Sequence, residues 1–241
     1  MNKNRQSAAC NLSNQQIQVL LTGKFGDGCL VTPNKLNVNY NYLYLTNGIK
    51  KSYLEYKKTL LGDLVTSNIR EAINQGYRQN IIYSFRTKQS SNITNLALMS
   101  LKDSLNLMDE LGLALWFYDD GSLHKTKLFY NLNTQKYPKE VQEDVIVPFL
   151  KRKFNITAIP TIERKRDGRE FWYLRIRKFE GAFTISNILL KYYIPEFDYK
   201  IICSETIQKW SKLQEELKST DIDINSIHPR TLSAMIKKIS I

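Results

Sequence analysis

One short pattern occurs twice in this chain, and it restricts the possible folds more than any other feature. Residues 20–30 read LLTGKFGDGCL and residues 113–123 read LALWFYDDGSL. Each copy runs from an apolar, helix-compatible segment into aspartate, glycine, a small residue and leucine. Self-similarity of this kind marks an internal repeat. With 241 residues, the chain has room for two similar halves of about 120 residues, each able to bury a core of its own.

Glycine directly after a helical pattern is a stop signal, because it closes the last turn in the left-handed conformation without steric penalty. The two helices are therefore expected to end at Gly28 and Gly121. Asp27 and Asp120 then lie in the last turn, beside unpaired carbonyls and the negative end of the helix dipole, where an anion is unfavourable. A divalent cation would offset this, since hard oxygen donors are what magnesium takes. Aspartate-glycine is also a common turn dipeptide, which would account for one copy. A second copy after a matching apolar helix favours ligands. Asp119 is open as the ligand in place of Asp120 if the helix ends one residue early.

The charge balance points to a polyanionic partner. Lys plus Arg number 35 against 23 for Asp plus Glu, a formal net charge of +12. Basic runs recur in both halves at Lys50-Lys51, Lys57-Lys58, Lys151-Arg152-Lys153 and Arg164-Lys165-Arg166. The three cysteines, Cys10, Cys29 and Cys203, have no paired spacing, so neither a disulfide framework nor a structural zinc site is indicated. His124 and His228 are too few and too separated for a histidine metal site. Residues 1–9 are polar and no apolar run approaches bilayer length. The expectation is a soluble, intracellular protein.

Taken in order, residues 1–11 read as an arm, and Ser13 as the N-cap of a helix carrying Ile17, Leu20 and Leu21. Thr22, Gly23 and Gly26 are small enough to admit a second helix, and the expected partner is the helix over 109–120, apolar nearly all round as buried helices are. A strand pair over 29–46, a helix over 50–64, a hairpin over 68–88 and a helix over 92–102 complete the first half. The second half repeats the order, with strands over 122–135, a helix over 139–154, and strands over 156–164 and 169–178 flanking a turn at Asp167-Gly168. A helix over 203–217 and a tail or small element over 221–241 follow.

Alternation along these strands separates an apolar face from a polar one. Asn37, Asn39 and Asn41 share a face opposite tyrosines. Lys125, Lys127, Asn131, Asn133 and Gln135 lie opposite Leu128, Tyr130 and Leu132. Arg175 and Arg177 lie opposite Trp172, Leu174 and Ile176, while Arg86, Lys88 and Arg164 close neighbouring strands. Asn and Gln can bond both major-groove groups of adenine and Arg those of guanine, and a β-ribbon fits the groove. Lys would contact phosphate. These residues are the candidate DNA-binding set.

At the two signatures the chain resembles the LAGLIDADG homing endonucleases, especially the single-chain kind that carries both copies in one polypeptide; residues 113–121 are the closer match. Leu132-Asn133-Thr134-Gln135, Glu140-Val141, Lys153-Phe154 and Tyr193-Ile194-Pro195 leading to Tyr199-Lys200 are also similar to a second half of that family. The resemblance spans residues 12–202. It implies an α+β fold of two αββαββα halves, 12–105 and 106–202, related by pseudo-twofold symmetry, with antiparallel sheets forming a DNA-binding saddle; 1–11 and 203–241 flank them. It further implies a monomer that cleaves both strands of double-stranded DNA at a long site, with Mg2+ shared between the acidic helix ends. Asp27 and Asp120 correspond to the metal-binding and catalytic acids, with Gly26 and Asp119 beside them as further metal candidates. Lys200 corresponds to a basic catalytic residue, with Lys102 as its first-half counterpart. Two departures stand out: Lys24 replaces an apolar residue, and Thr22 and Gly23 are shifted from the usual small-residue spacing. A maturase that binds intron RNA and a non-catalytic DNA-binding regulator are the alternatives on the same fold.

Overall fold

The computed structural model describes residues 12–33, 41–73, 81–124, 128–165, 167–220, 222, 224, 227 and 229–240. It divides into two compact units, and the boundary is the peptide between Asp119 and Asp120.

The first unit opens with helix α1 (Asn14–Phe25), and its start is the expected one. The Ser13 hydroxyl accepts the Gln16 N–H at 3.2 Å while the Gln16 side chain accepts the Ser13 N–H at 2.9 Å, a reciprocal capping box. The end differs from expectation. The helix stops at Gly26, before the aspartate-glycine pair, and among the described residues the glycines with positive φ are Gly62 and Gly168. Close approach, not a left-handed turn, explains the glycines of the first signature. A Cβ on Gly28 would overlap the Tyr44 ring, and one on Gly26 would overlap the Asp119 carboxylate.

Strands β1 (Cys29–Val31) and β2 (Leu43–Gly48), helix α2 (Lys51–Leu61) and strands β3 (Arg70–Ile73) and β4 (Ile81–Arg86) follow, giving an antiparallel sheet in the order β1-β2-β4-β3. The single helix expected over 92–102 is two, α3 (Ser91–Leu98) and α4 (Leu101–Leu107). Ser100 adopts extended backbone and its hydroxyl accepts the Asp103 N–H at 3.1 Å, so a second N-cap restarts the chain. Helix α5 (Glu110–Asp120) is buried from Leu111 through Tyr118, as its composition demands. It packs on α1 through Phe25 and Trp116, whose rings lie 5.1 Å apart, and through Gly112, which leaves room for the buried Gln18. Thr22 and Gly23 face Tyr44 and Leu30. Of the three small residues expected to admit the second helix, Gly26 does so, joined by Gly112, while Thr22 and Gly23 do not.

The second unit repeats the topology. Strands β5 (Gly121–His124) and β6 (Phe129–Leu132) lead into a helical run made of α6 (Lys139–Val141), a π-turn at Gln142–Ile146 and α7 (Val147–Phe154). Strands β7 (Ile159–Arg164) and β8 (Glu170–Ile176) and helix α8 (Phe179–Lys191) complete it. Sheet order is β5-β6-β8-β7, the same as in the first unit, and Gly168 takes φ 83° in the expected β7–β8 turn. Counting α5 as the opening helix of the second repeat, both repeats follow the αββαββα order. Helix α9 (Ser204–Lys218) brings Trp210 into a stack with Phe179 and Phe183, at 5.0 and 5.5 Å. The segment read as a tail holds α10 (Pro229–Lys238), which packs on α9 and buries Leu232 and Ile236. Among the described residues no helix is long and apolar enough to cross a membrane.

Candidate functional site

In the first unit, Asp27 follows the end of α1 at the surface. Its neighbours' backbone is tied to one acceptor: the Thr22 carbonyl takes the N–H groups of Gly26 at 2.9 Å and Gly28 at 3.2 Å. The Asp27 N–H instead donates to Asp119 Oδ2 at 3.1 Å. Thr22 is held in turn by Tyr44, their hydroxyl oxygens 2.8 Å apart.

Asp119 reaches that position because its side chain turns inward. The Asp119 carboxylate is 0 % exposed and Lys57, its partner from α2, is 1 % exposed. Lys57 Nζ lies 2.8 and 3.0 Å from the two Asp119 oxygens, and the Tyr53 hydroxyl donates to Oδ1 at 2.7 Å. Burial alone drives the Lys57 pKa down, but the Asp119 charge, joined by other nearby groups, outweighs it and holds the ammonium above its ordinary value. Burial first, and the Asp119 charge next, push the Tyr53 hydroxyl well up. Both Asp119 oxygens are therefore engaged by protein donors. This is a different environment from the ligand position that the adjacent acids left open on sequence grounds.

Tyr53 was not singled out in the sequence, and Lys57 was read only as half of the basic Lys57-Lys58 run; its burial takes it off any surface that could face a polyanion. A signal was present: Tyr53, Leu54, Lys57 and Leu61 fall at helical spacing and form the buried stripe of α2, so a lysine occupies an apolar-stripe position. Lys24, the departure inside the first signature, also has a local reason. Its ammonium donates to the Met99 carbonyl at 2.6 Å and the Ser104 hydroxyl at 2.8 Å, bonding to both sides of the α3–α4 break, and burial lowers its pKa.

In the second unit, Asp120 ends α5 and its carbonyl accepts the Asn133 N–H at 3.0 Å. The residue borders a cleft of about 380 Å³ shared with Asn131, Asn133, Gln135, Glu163 and Tyr173. Three members of the candidate DNA-binding set thereby share a cleft with two acids, Asp120 and Glu163. Tyr137, mostly buried nearby, has its hydroxyl pKa raised by burial and then by the Asp120 charge. Beside the cleft, Arg175 Nε donates to Asn131 Oδ1 at 2.9 Å, and its guanidinium lies 4.8 Å from the Phe129 ring and 5.2 Å from the Tyr173 ring; it also bonds the Tyr173 hydroxyl. Lys200 is 7 % exposed, its carbonyl accepts the Tyr130 hydroxyl at 2.6 Å, and its ammonium lies 5.1 Å over Phe197. The short helix carrying it packs on β5, the strand that begins directly after Asp120.

The other candidates are spread more widely. Lys102 is exposed on α4, Arg86 is exposed at the end of β4, and Lys88 and Arg177 are exposed just beyond their strands. Arg164 pairs with Glu170 at 2.8 Å, and Asn41 accepts from the Thr94 hydroxyl at 3.2 Å. Asn37, Asn39, Lys125 and Lys127 lie outside the described residues. Among those described, no cluster of three or more His, Cys, Asp or Glu side chains is arranged to hold a metal ion.

No curated protein matches the chain. Among solved structures, it is similar to the homing endonuclease I-WcaI bound to its DNA recognition sequence, at 23% identity over 79% of this chain and 87% of that one, with a TM-score of 0.63. I-DmoI in complex with DNA and Mn matches at 13% identity over 76% of this chain and 100% of that one, TM-score 0.49. The N-terminal LAGLIDADG domain of DUF199/WhiA matches at 15% identity over 78% and 88%, TM-score 0.46. A family model described as the LAGLIDADG DNA endonuclease family matches residues 18–182. Because that match takes in both aspartate-glycine signatures and all eight described strands, the chain belongs to the LAGLIDADG DNA endonuclease family.

Proposed function

We propose that this chain is a site-specific homing endonuclease that breaks both strands of a long duplex target by phosphodiester hydrolysis. The observation that carries the reading is one accessible carboxylate at the end of each signature helix: Asp27 is exposed, and Asp120 is partly exposed at a cleft walled by Asn131, Asn133 and Gln135. I-WcaI is described as bound to its DNA recognition sequence, and the proposal gives this chain the same class of partner.

Asp27 and Asp120 would hold divalent cations, whose chemistry is to lower the pKa of an attacking water and neutralise charge on the leaving oxygen. The remaining residues bind and orient the duplex. Asn131, Asn133 and Gln135 present amides suited to adenine edges, and Arg175 presents a guanidinium suited to guanine. Exposed lysines and arginines contact phosphates and contribute affinity without sequence information. Lys200, close to the strand after Asp120, is the basic group assigned to stabilising charge on the scissile phosphate.

Arg175→Ala is expected to weaken target binding by about 1–3 kcal/mol and relax the preference at one base pair. Competition binding against singly substituted targets checks this, and an unchanged preference at every position would remove Arg175 from base readout. The proposal as a whole is tested by incubating the protein with a randomised duplex library and magnesium, with calcium as the control, and sequencing the new ends. Discrete cuts at one extended motif are expected. A folded, DNA-binding protein that cuts nothing would overturn the endonuclease reading, and intron RNA would be the next ligand to examine.

A further inference from the structure

We infer that Asp119 is a positioning residue, whose buried carboxylate fixes the backbone at Asp27 and so sets where the Asp27 side chain points. The inference rests on the reading of Asp27 as a cation ligand. It begins from a cost: a carboxylate and an ammonium buried to 0 % and 1 % exposure lose their hydration, and an apolar pair of similar volume commonly stabilises a fold as well or better. Stability alone therefore does not account for the pair. What an apolar pair could not do is accept a backbone N–H.

The geometry of the turn supplies the need for that acceptor. Thr22 O takes the N–H groups on either side of Asp27, leaving the middle N–H to Asp119 Oδ2 at 3.1 Å. Gly26 makes the approach feasible, because any side chain there would collide with the same carboxylate. Tyr53 and Lys57 then orient the carboxylate by three short contacts. A charged acceptor also holds a backbone N–H more firmly than a neutral one. Lys57 thus holds the Asp119 carboxylate in place, and Asp119 holds the Asp27 turn in place.

Two double variants separate positioning from bulk stability. Lys57→Met/Asp119→Asn and Lys57→Met/Asp119→Ala both remove the ion pair, but only the first retains an oxygen that can accept the Asp27 N–H. Hydrogen exchange at the Asp27 amide is measured in each without metal or DNA. The magnesium concentration for half-maximal cleavage and the DNA affinity in calcium are measured in parallel. Exchange is expected to be about tenfold faster in the alanine double than in the asparagine double. The magnesium requirement should rise by a similar factor while DNA affinities stay equal. Equal Asp27 exchange in the two doubles overturns the inference whatever happens to cleavage. Unequal exchange in a protein whose wild type never cleaves supports the positioning of Asp27 and sinks the endonuclease reading instead.

Discussion

Asp27→Asn and Asp120→Asn are each expected to lower double-strand cleavage by about 10³-fold or more while leaving DNA affinity within about threefold. The replacement is isosteric, so neither the α1 terminus nor the α5 terminus needs to rearrange. What is lost is the negative charge that holds a divalent cation, and such ions supply several kcal/mol of transition-state stabilisation. Affinity behaves differently because it comes mainly from neutralising phosphates, and the chain keeps its excess of 35 basic over 23 acidic residues. Cleavage of a supercoiled plasmid carrying the selected target, beside fluorescence anisotropy in calcium, separates the two effects. If both variants cut at the wild-type rate in magnesium, the assigned acids are wrong.

The second large effect is on stability. Lys57→Met leaves the Asp119 carboxylate buried with its main counter-charge gone, and breaking a buried pair from one side costs about 3–5 kcal/mol. That is a large fraction of the roughly 5–15 kcal/mol by which domains are stable. Lys57→Met/Asp119→Asn removes both charges and is expected to recover a substantial part of the loss, so the cycle should be strongly non-additive. Urea unfolding of wild type, both single variants and the double measures it. Losses below about 1 kcal/mol in the single variants would mean that the pair is effectively solvated. The pH dependence has a definite sign. The folded Lys57 pKa is raised above its ordinary 10.5, so its contribution is complete below that value and disappears only as pH rises through the higher, folded one.

Several parts of this architecture were legible as residues in order. The repeat itself, the capping serine of α1, the uniformly apolar α5 and the Asp167-Gly168 turn are local or periodic features that follow from spacing, backbone geometry and burial. The alternation along β6 and β8 likewise separated buried Tyr130, Leu132, Leu174 and Ile176 from the polar residues facing the other way. Where local rules competed, the reading was less complete. The helix expected over 92–102 contains Ser100, and a serine with an acid three residues on can start a new helix as readily as sit within one. The terminal segment read as a tail forms α10 because Leu232 and Ile236 are buried as it packs on α9, and a short amphipathic helix has little stability without such a partner.

The repeat, the order of helices and strands within it and the position of an acid at or just past each signature helix were readable from residue order, because each depends on spacing along the chain. What the glycines accommodate and where the adjacent acid sits depend on contacts that only folding makes. Gly26 and Gly28 are small because a carboxylate and a tyrosine ring press against them, not because of their own dihedral angles. Asp119 and Asp120 are chemically identical neighbours, yet one is sealed against Lys57 and Tyr53 and the other borders a polar cleft. Such contacts join residues far apart in the chain, and a carboxylate's role is set by the charges and donors that folding brings to it.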